Sequence, residues 1–319
     1  MPLLSGDRGS DGQTFNDAFS DRRTGEGAAR VLTGGTGLNE QRGWPGFTGT
    51  CGNPECRSGW LHLLRSRSAP VFEGGWSCSL ECTAAQVGAA VRRELNGRGI
   101  AQEIHRHRIP LGLVMLEQGW ITSGQLRQAL DAQKAAGAGR LGHWLVRQQG
   151  VPEQLVTRAL GLQWSCPVLP PDFLDGEGLT GLVPRLFVDA FGALPLRVAA
   201  GKLLYLGFED RIDPVLALAI ERVTGLRVEC GLVQGSLFRP AHTRMLSAKF
   251  PPVELIEAAG EPALAHAVAR VIERVRPAES RLVRVHDCVW LRMWIKPRGG
   301  PAAAEPGIVR DLIASIGAH

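Results

Sequence analysis

The sequence has no run of apolar residues that approaches the roughly 18 needed by a membrane-spanning helix, so we expect no transmembrane segment. Its first residues, MPLLSGDRGSDG, lack a positively charged stretch followed by an apolar one, so we expect no cleaved signal and a cytoplasmic protein.

The net charge of +5 is mild for 319 residues. Without a dense basic face or interleaved aromatic residues, binding to nucleic acid is not expected, and the basic run at 105–108 is interpreted as solvent-exposed.

The composition, with 44% hydrophobic and 21% charged residues, is that of a globular protein long enough for two or three small domains. Composition and periodicity together predict an α+β multidomain protein. The predicted segments are a disordered tail (1–45), a four-cysteine zinc module and following helix (46–98), a tandem helical repeat unit (105–166), a small sandwich-like α/β domain (167–250) and a C-terminal region of helix, strand or hairpin, and tail (251–319). The tail is predicted because its small and polar residues leave too little apolar surface to offset chain entropy.

Four of the seven cysteines lie in two close pairs, Cys51-x4-Cys56 and Cys78-x3-Cys82, with 21 residues between the pairs. This spacing suits tetrahedral zinc, because each pair places two thiolates on one turn. Four thiolates close the coordination sphere, so the predicted zinc is structural. Two alternatives are a pair of disulfides, which a cytoplasmic protein disfavours, and four buried thiols, which the clustering disfavours. His62 is a less favoured ligand.

The remaining cysteines, Cys166, Cys230 and Cys288, stand in apolar surroundings and are interpreted as buried structural thiols. His286 and Asp287 directly precede Cys288. Because successive side chains of a strand point to opposite faces, these three residues are not expected to form a catalytic triad.

One segment of the chain repeats itself at an offset of 30 residues. Residues 110–133 are PLGLVMLEQGWITSGQLRQALDAQ, and residues 140–163 are RLGHWLVRQQGVPEQLVTRALGLQ. Each copy has the pattern of a helix, a tight turn and a second helix, with Thr122 and Gln125 at capping-box spacing in the first copy. A repeat this short buries its apolar face only against its twin, so we predict one pseudo-symmetric helical unit.

The chain changes to a mixed α/β pattern after the proline-rich stretch at 167–171. A helix is predicted near 183–191, followed by strands ALPLRV and KLLYLGF around the turn at 200–201. A helix at 213–224 then precedes a third strand, LRVECGLV, because Asp-Pro and Gly mark its two ends. This pattern predicts a β-β-α-β layer flanked by helices.

The C-terminal region contains a predicted helix at 263–275. The alternation at 282–295 predicts one long strand or a bent hairpin. A Pro/Ala linker at 299–306 then leads to residues 308–316, which we predict as a short amphipathic helix.

The repeated Leu-Gly and the closing Gln resemble the MshEN domain at the N-terminus of bacterial pilus and type II secretion ATPases. The family pattern is RLG, an apolar residue three positions after the Gly, a Gly four further on, spaced leucines and a final Gln, all occurring twice. Residues 179–233 also resemble the rest of this GspE-like N-terminal domain, so the resemblance covers about 105–246. Separately, Trp76 to Cys82 is similar to the FCS-x-x-C end of a treble-clef zinc finger.

In this family the tandem motif binds cyclic di-GMP, with one copy for each GMP half. The resemblance implies that backbone N–H groups at the Leu-Gly start face phosphate, that an Arg contacts guanine and that a Gln amide reads a base edge. The implied contacts in the first copy are Arg108, Leu111, Gly112, Met115, Gly119, Leu126, Leu130 and Gln133. Those in the second copy are Arg140, Leu141, Gly142, Leu145, Leu160 and Gln163.

The chain departs from the family pattern at two positions. Pro110 stands at the Arg position of the first copy, and Gln149 stands where the family has Gly, with Gly150 one residue late. No phosphate-binding string G-x-x-x-x-G-K-[ST] occurs in the sequence, so the ATPase is not expected. The prediction is a non-enzymatic regulatory or adaptor protein that binds a component of secretion- or pilus-type machinery. The alternative is a protein-interaction scaffold with a degenerate nucleotide pocket.

Overall fold

The computed structural model describes residues 51–57, 70–97, 108–170, 178–296 and 308–316. Within them the chain forms nine α-helices and three small sheets, which confirms the predicted mixed α+β fold class. The predicted tail at 1–45 and the linker at 299–306 lie outside the described residues. Among the described helices, none is both long and apolar enough to cross a membrane.

The helices are α1 (Leu80–Asn96), α2 (Leu111–Glu117), α3 (Ser123–Ala136), α4 (Leu141–Gln149), α5 (Glu153–Trp164), α6 (Arg185–Ala190), α7 (Pro214–Thr224), α8 (Gly235–Leu246) and α9 (Glu261–Val275). The strands are β1 (Val71–Phe72), β2 (Gly75–Trp76), β3 (Ala193–Ala199), β4 (Leu203–Phe208), β5 (Arg227–Leu232), β6 (Val253–Ala258), β7 (Glu279–Val285), β8 (Cys288–Trp294) and β9 (Val309–Ile316). They form a hairpin (β1-β2), a three-stranded sheet in the order β3-β4-β5 and a four-stranded sheet in the order β6-β9-β8-β7.

The three-stranded sheet has the predicted β-β-α-β order. β3 and β4 are antiparallel, and β5 lies parallel to β4 after the chain has passed through α7. α7 begins where predicted, because the Asp213 side chain accepts a hydrogen bond from the Leu216 N–H at 3.0 Å. It ends at Gly225, which has the left-handed conformation that favours glycine. Local capping residues therefore set both ends of this helix.

The four-stranded sheet corrects one prediction and decides another. Residues 308–316, predicted as a helix, form β9, which lies between β6 and β8. An amphipathic helix would place Asp311 on a polar face, whereas the structure buries it in the sheet. The predicted long strand or hairpin at 282–295 is a hairpin of β7 and β8. The sequence pattern did not predict α8 or β6.

The two faces of the four-stranded sheet pack against different layers, because side chains alternate along each strand. On one face, Leu291 and Leu312 pack with α1 and α9. On the other face, Trp290 and Ile313 join the core of the three-stranded sheet, where the Trp290 ring meets Phe187 edge-on with ring centroids 5.4 Å apart. The helix after the cysteine module thus shares its core with the C-terminal region, and the domain boundaries stay a prediction.

Glu94, near the end of α1, connects this helix to α7 and β7. Its carboxylate accepts hydrogen bonds from the Arg222 guanidinium at 2.7 and 2.5 Å and from the Arg284 N–H at 3.2 Å. Burial raises the pKa of Glu94, but the hydrogen bonds and the charge of Arg222 outweigh burial and hold the pKa below its ordinary value. The folded protein therefore favours the charged carboxylate.

A buried ion pair joins β8 to β9. Arg292 and Asp311 are each 1% exposed, and Arg292 donates to the carboxylate through Nε and Nη2 at 2.8 Å each. The Trp290 indole N–H donates to the same carboxylate at 2.8 Å, and Arg292 Nη1 donates to the Leu182 carbonyl at 2.6 Å. Each guanidinium nitrogen and each carboxylate oxygen of the pair therefore has a hydrogen-bond partner, and the pair ties the sheet to the segment before α6.

Replacing Asp311 with Asn should lower the free energy of unfolding by about 3 kcal/mol or more, because the buried Arg292 charge loses its counter-charge. Urea unfolding measures the difference. The matched control is Glu254→Gln, which breaks an exposed pair with Arg274 and should cost less than about 1 kcal/mol. Equally small losses in the two variants would contradict the role assigned to the buried pair.

Candidate metal centre and tandem-repeat site

The four cysteines predicted as metal ligands lie together. The sulfur atoms of Cys51, Cys56, Cys78 and Cys82 are all within 4.8 Å of one another. Cys78 Sγ lies 3.5 Å from Cys56 Sγ and 3.6 Å from Cys82 Sγ. A tetrahedral site with metal–sulfur bonds of about 2.3 Å needs sulfur atoms about 3.8 Å apart, whereas a disulfide needs about 2.05 Å. The sulfur positions therefore fit a tetrahedral metal ion.

The first pair of ligands is held by a tight turn. The Cys56 N–H donates to the Asn53 carbonyl at 3.1 Å and closes the turn. The Gly52 N–H donates to the Trp76 carbonyl at 2.7 Å, which attaches the turn to β2. Among the described residues, this turn is followed by the β1-β2 hairpin and then by α1. The less favoured ligand, His62, lies outside the described residues.

The second pair lies at the N-terminal end of α1. The Ser79 side chain caps this helix by accepting a hydrogen bond from the Cys82 N–H at 3.3 Å. The positive end of the helix dipole favours thiolates. Asn53 Nδ2 donates to Cys82 Sγ at 3.4 Å, the kind of outer contact that orients a metal ligand. Burial raises the pKa of the Cys51 thiol, and a bound cation acts in the opposite direction.

The two copies of the repeat form one four-helix unit. α2 packs against α5, and α3 packs against α4, so the helices of one copy lie against those of the other. Buried core residues recur at the 30-residue offset, namely Met115 with Leu145, Ile121 with Val151 and Ala129 with Ala159. The capping box of Thr122 and Gln125 is also formed, as predicted. The sequence-predicted pseudo-symmetric unit is therefore present.

The glycine of each Leu-Gly pair lies where little space remains for a side chain. A Cβ on Gly112 would be 2.7 Å from Leu126 in the same copy and 3.3 Å from Leu141 in the other copy. A Cβ on Gly142 would be 2.7 Å from Val156 and 3.7 Å from the leucine that opens the first copy. The two sets of contacts are related by the 30-residue offset, so the same close packing occurs twice.

The closing glutamine of each copy holds the start of the other. Gln133 Nε2 donates at 2.7 Å to the carbonyl of Gly139, which lies two residues before the second Leu-Gly pair. Gln163 Nε2 donates at 2.7 Å to the carbonyl of Ile109, which lies two residues before the first Leu-Gly pair. Donors and acceptors are again equivalent by the repeat offset. These reciprocal bonds, which we call the glutamine clamps, link the two copies.

The departure from the family pattern at Gln149 has a local cause. Each copy turns through a left-handed glycine, Gly119 with φ of +68° in the first and Gly150 with φ of +63° in the second. α4 is two residues longer than α2, but Gly150 follows α4 directly whereas Gln118 separates α2 from Gly119, so the second turn falls one residue later in the pattern. Val151 nevertheless enters the core at the position equivalent to Ile121.

The arginines near the two helix starts contact other groups. Arg140 is the N-cap of α4 and forms an ion pair with Asp210, in the turn after β4. Pro110 occupies the equivalent N-cap of α2. The Arg108 guanidinium lies over the ring of Trp164, the last residue of α5. Each guanidinium group therefore already has a partner. A nucleotide would bind either in place of that partner or beside it.

The other predicted nucleotide contacts differ in accessibility. Buried residues are Gly112, Met115, Gly142 and Leu145. Partly buried residues are Leu111, Leu126, Gln133, Leu141, Leu160 and Gln163. Exposed residues are Gly119 and Leu130. Met115 and the leucines other than Leu130 belong to the core of the unit, and contact of any of these residues with a ligand stays a prediction.

Two residues at this site are absent from the sequence-based prediction. Trp164 directly follows the closing Gln163, so its position beside the repeat is visible in the sequence. Asp210 is remote from Arg140 in sequence, and only the packing of the repeat unit on the α/β domain brings the two together.

His286, Asp287 and Cys288 do not lie in one strand, so the strand assumed for them in the sequence analysis is wrong. His286 and Asp287 form the turn between β7 and β8, and Cys288 begins β8. His286 Nε2 lies 2.7 Å from Asp213 Oδ2, at the cap of α7. Burial raises the pKa of the Cys288 thiol, which is the opposite of what activates a nucleophile.

Replacing Gly142 with Ala should destabilise the protein by about 1–3 kcal/mol, because the new methyl group overlaps Val156. The control is Gly124→Ala in the first turn of α3, where the nearest atom to a Cβ is Thr122 Oγ1 at 3.8 Å. There the better helix propensity of Ala makes the change neutral or stabilising by up to about 1 kcal/mol. Thermal and urea unfolding compare the two, and equal stability would contradict the close packing.

Comparison with known proteins gives similarity to solved structures only. No family model and no curated protein matches this chain. A structure of MshE with cyclic di-GMP matches 43% of this chain and 99% of its own, with 25% identity and a TM-score of 0.35. The N-terminal domain of XpsE matches 41% of this chain and 91% of its own, with 21% identity and a TM-score of 0.24. The resemblance predicted from the sequence is thus found again among solved structures.

Proposed function

We propose that this protein is a non-enzymatic regulatory or adaptor protein whose tandem-repeat unit binds cyclic di-GMP. The observation that carries the proposal is the pair of glutamine clamps, Gln133 to Gly139 and Gln163 to Ile109. In each clamp the end of one copy binds the start of the other, so the two copies are arranged with pseudo-two-fold symmetry. Such a unit presents two similar half-sites. Cyclic di-GMP is itself two-fold, so one GMP half can lie against each copy.

The start of α4 supplies groups suited to a guanine nucleotide. The Arg140 side chain is 72% exposed and can donate two parallel hydrogen bonds to guanine or to phosphate. The backbone N–H groups of Leu141 and Gly142, in the first turn, have no acceptor within the helix. They favour an anion at this end, as the positive end of the helix dipole also does. The second copy therefore contributes the stronger half-site.

The repeat unit is attached to the α/β domain through α5, which gives a route from ligand to partner. Glu153, at the start of α5, accepts hydrogen bonds from the Ser236 N–H at 3.1 Å and from Gln234 Nε2 at 2.9 Å, at the N-terminus of α8. Beyond α5, the Leu169 N–H donates to the Leu232 carbonyl of β5 at 2.7 Å. The proposed partner, a component of secretion- or pilus-type machinery, would sense the ligand only through a difference in affinity between the two states.

The second candidate is a protein-interaction scaffold that binds no nucleotide. It is favoured by the contacts that the polar groups already make, since both glutamine amides donate to backbone carbonyls and Arg140 is paired with Asp210. Pro110 also removes a cation from the first half-site. In this case the repeats serve only to support the α/β surface.

Isothermal titration calorimetry with cyclic di-GMP separates the two candidates. We expect about one ligand per chain, because one two-fold ligand spans both copies. Arg140→Ala should weaken binding about 10- to 100-fold, as expected for the loss of a charged donor. The control is Arg147→Ala, an exposed arginine elsewhere on α4, which should leave the affinity unchanged. Absence of both heat and thermal stabilisation at saturating ligand would favour the scaffold.

We also propose that the ion held by the cysteine cluster is zinc with a structural role. Four thiolates are the ligand set that zinc takes in closed structural sites. The residues that would hold it are Cys51, Cys56, Cys78 and Cys82. Since α1 begins at the second pair and packs on α9, the metal would fix the end of a core helix.

Purified protein should contain about one zinc ion per chain, and its removal by a chelator should lower the melting temperature, because the ion stabilises the folded site. Cys56→Ser should lose most of the metal. The control is Cys166→Ser, which removes a thiol outside the cluster and should keep the metal. Metal-free protein with two disulfides by mass spectrometry would overturn the zinc assignment.

A further inference from the structure

We propose that Asp210 is an internal competitor for the ligand at Arg140. Its carboxylate holds the Arg140 guanidinium in the free protein, and a guanine or phosphate group takes the guanidinium from it on binding. This inference rests on the proposed function, because it concerns the same half-site. It adds a residue from the α/β domain to a site otherwise built from the repeats.

The backbone that presents Arg140 is held in one position. Gln133 Nε2 donates to the Gly139 carbonyl, and Trp144 Nε1 donates to the Ala138 carbonyl at 3.2 Å. Gly139 has a φ of +90°, and a Cβ there would lie 2.9 Å from Trp144 Nε1, so only glycine suits this turn. The exposed side chain of Arg140 can therefore change partner while the backbone before it keeps its hydrogen bonds.

Asp210 is the carboxylate that reaches the repeat unit from the turn after β4. Its side chain is 32% exposed, so water and ligand have access to it. The neighbouring Glu209 is held by Arg239, with Oε1 accepting hydrogen bonds at 2.9 and 2.6 Å. The two acidic residues of this turn thus have different roles, one within the α/β domain and one toward the repeats.

Two further arginines, Arg108 and Arg211, lie near each other beside this turn. Burial, and then the charge of Arg211, lower the pKa of Arg108, which places these two guanidinium groups within electrostatic range of each other. Arg211 directly follows Asp210, which pairs with Arg140. The turn that presents Asp210 to Arg140 therefore also carries the positive charge of Arg211, which favours an anionic ligand nearby.

The exchange couples the ligand to the α/β domain. The fork of one guanidinium cannot bind the Asp210 carboxylate and a guanine edge in the same geometry. Ligand binding therefore releases the turn after β4. A partner that holds this turn away from Arg140 raises the affinity for the ligand, and the ligand raises the affinity for that partner by the same factor. Because the ion pair is exposed, we expect an effect of about two- to five-fold.

Calorimetry with cyclic di-GMP at low ionic strength tests the inference on three variants. Asp210→Asn should bind about two- to five-fold more tightly than the unaltered protein, since Arg140 no longer has to leave a carboxylate. The control Glu254→Gln, which breaks the Arg274 pair on β6, should not change the affinity. The double variant Arg140→Ala/Asp210→Asn should bind as weakly as Arg140→Ala, because the competitor acts only through Arg140.

The outcomes separate this inference from the proposed function. Binding by the unaltered protein with equal or weaker binding by Asp210→Asn would overturn the competition and leave the proposed function intact. Weaker binding would mean that Asp210 itself contacts the ligand. If Asp210→Asn binds the ligand and the unaltered protein does not, Asp210 competes strongly enough to block binding, and the inference is supported. If neither protein binds, the proposed function fails and the inference fails with it.

Discussion

The close approach of helices at Gly112 and Gly142 is the constraint on which the repeat unit depends. At each position a Cβ would lie 2.7 Å from a side chain of the following helix, so the helices can meet at this distance only around glycine. The opening leucine of the other copy completes each contact, and the glutamine clamps then join each copy's end to the other's start. Each copy therefore depends on contacts with the other for its packing.

Elements with local signals were predictable from the sequence. The β-β-α-β layer follows from residues next to one another in the chain, such as the Asp213 cap and the Gly225 stop. Residues 308–316 were not predictable, because Asp311 is buried only through its pairing with Arg292 on another strand. A segment of nine residues with mixed polarity fits a helix or a strand by pattern alone, and the tertiary partner decides.

The candidate sites show the same division. The cysteine cluster follows from spacing, since each close pair places two sulfur atoms side by side, one pair in a turn and one at a helix start. The equivalence of Gln133 and Gln163 also follows from the repeat, but their hydrogen-bond acceptors do not, because a backbone carbonyl has no sequence signature. Asp210 could not be predicted at all, since its contact with Arg140 exists only after the repeat unit packs on the α/β domain.

The central claim is that the two copies act together on one two-fold ligand. Calorimetric titration with cyclic di-GMP and, separately, with GMP tests it most directly. The account predicts that cyclic di-GMP binds at about one per chain and at least about 100-fold more tightly than GMP, because the second half-ligand binds at a high effective concentration. Equal affinity for the two ligands, or no binding of either, would contradict it.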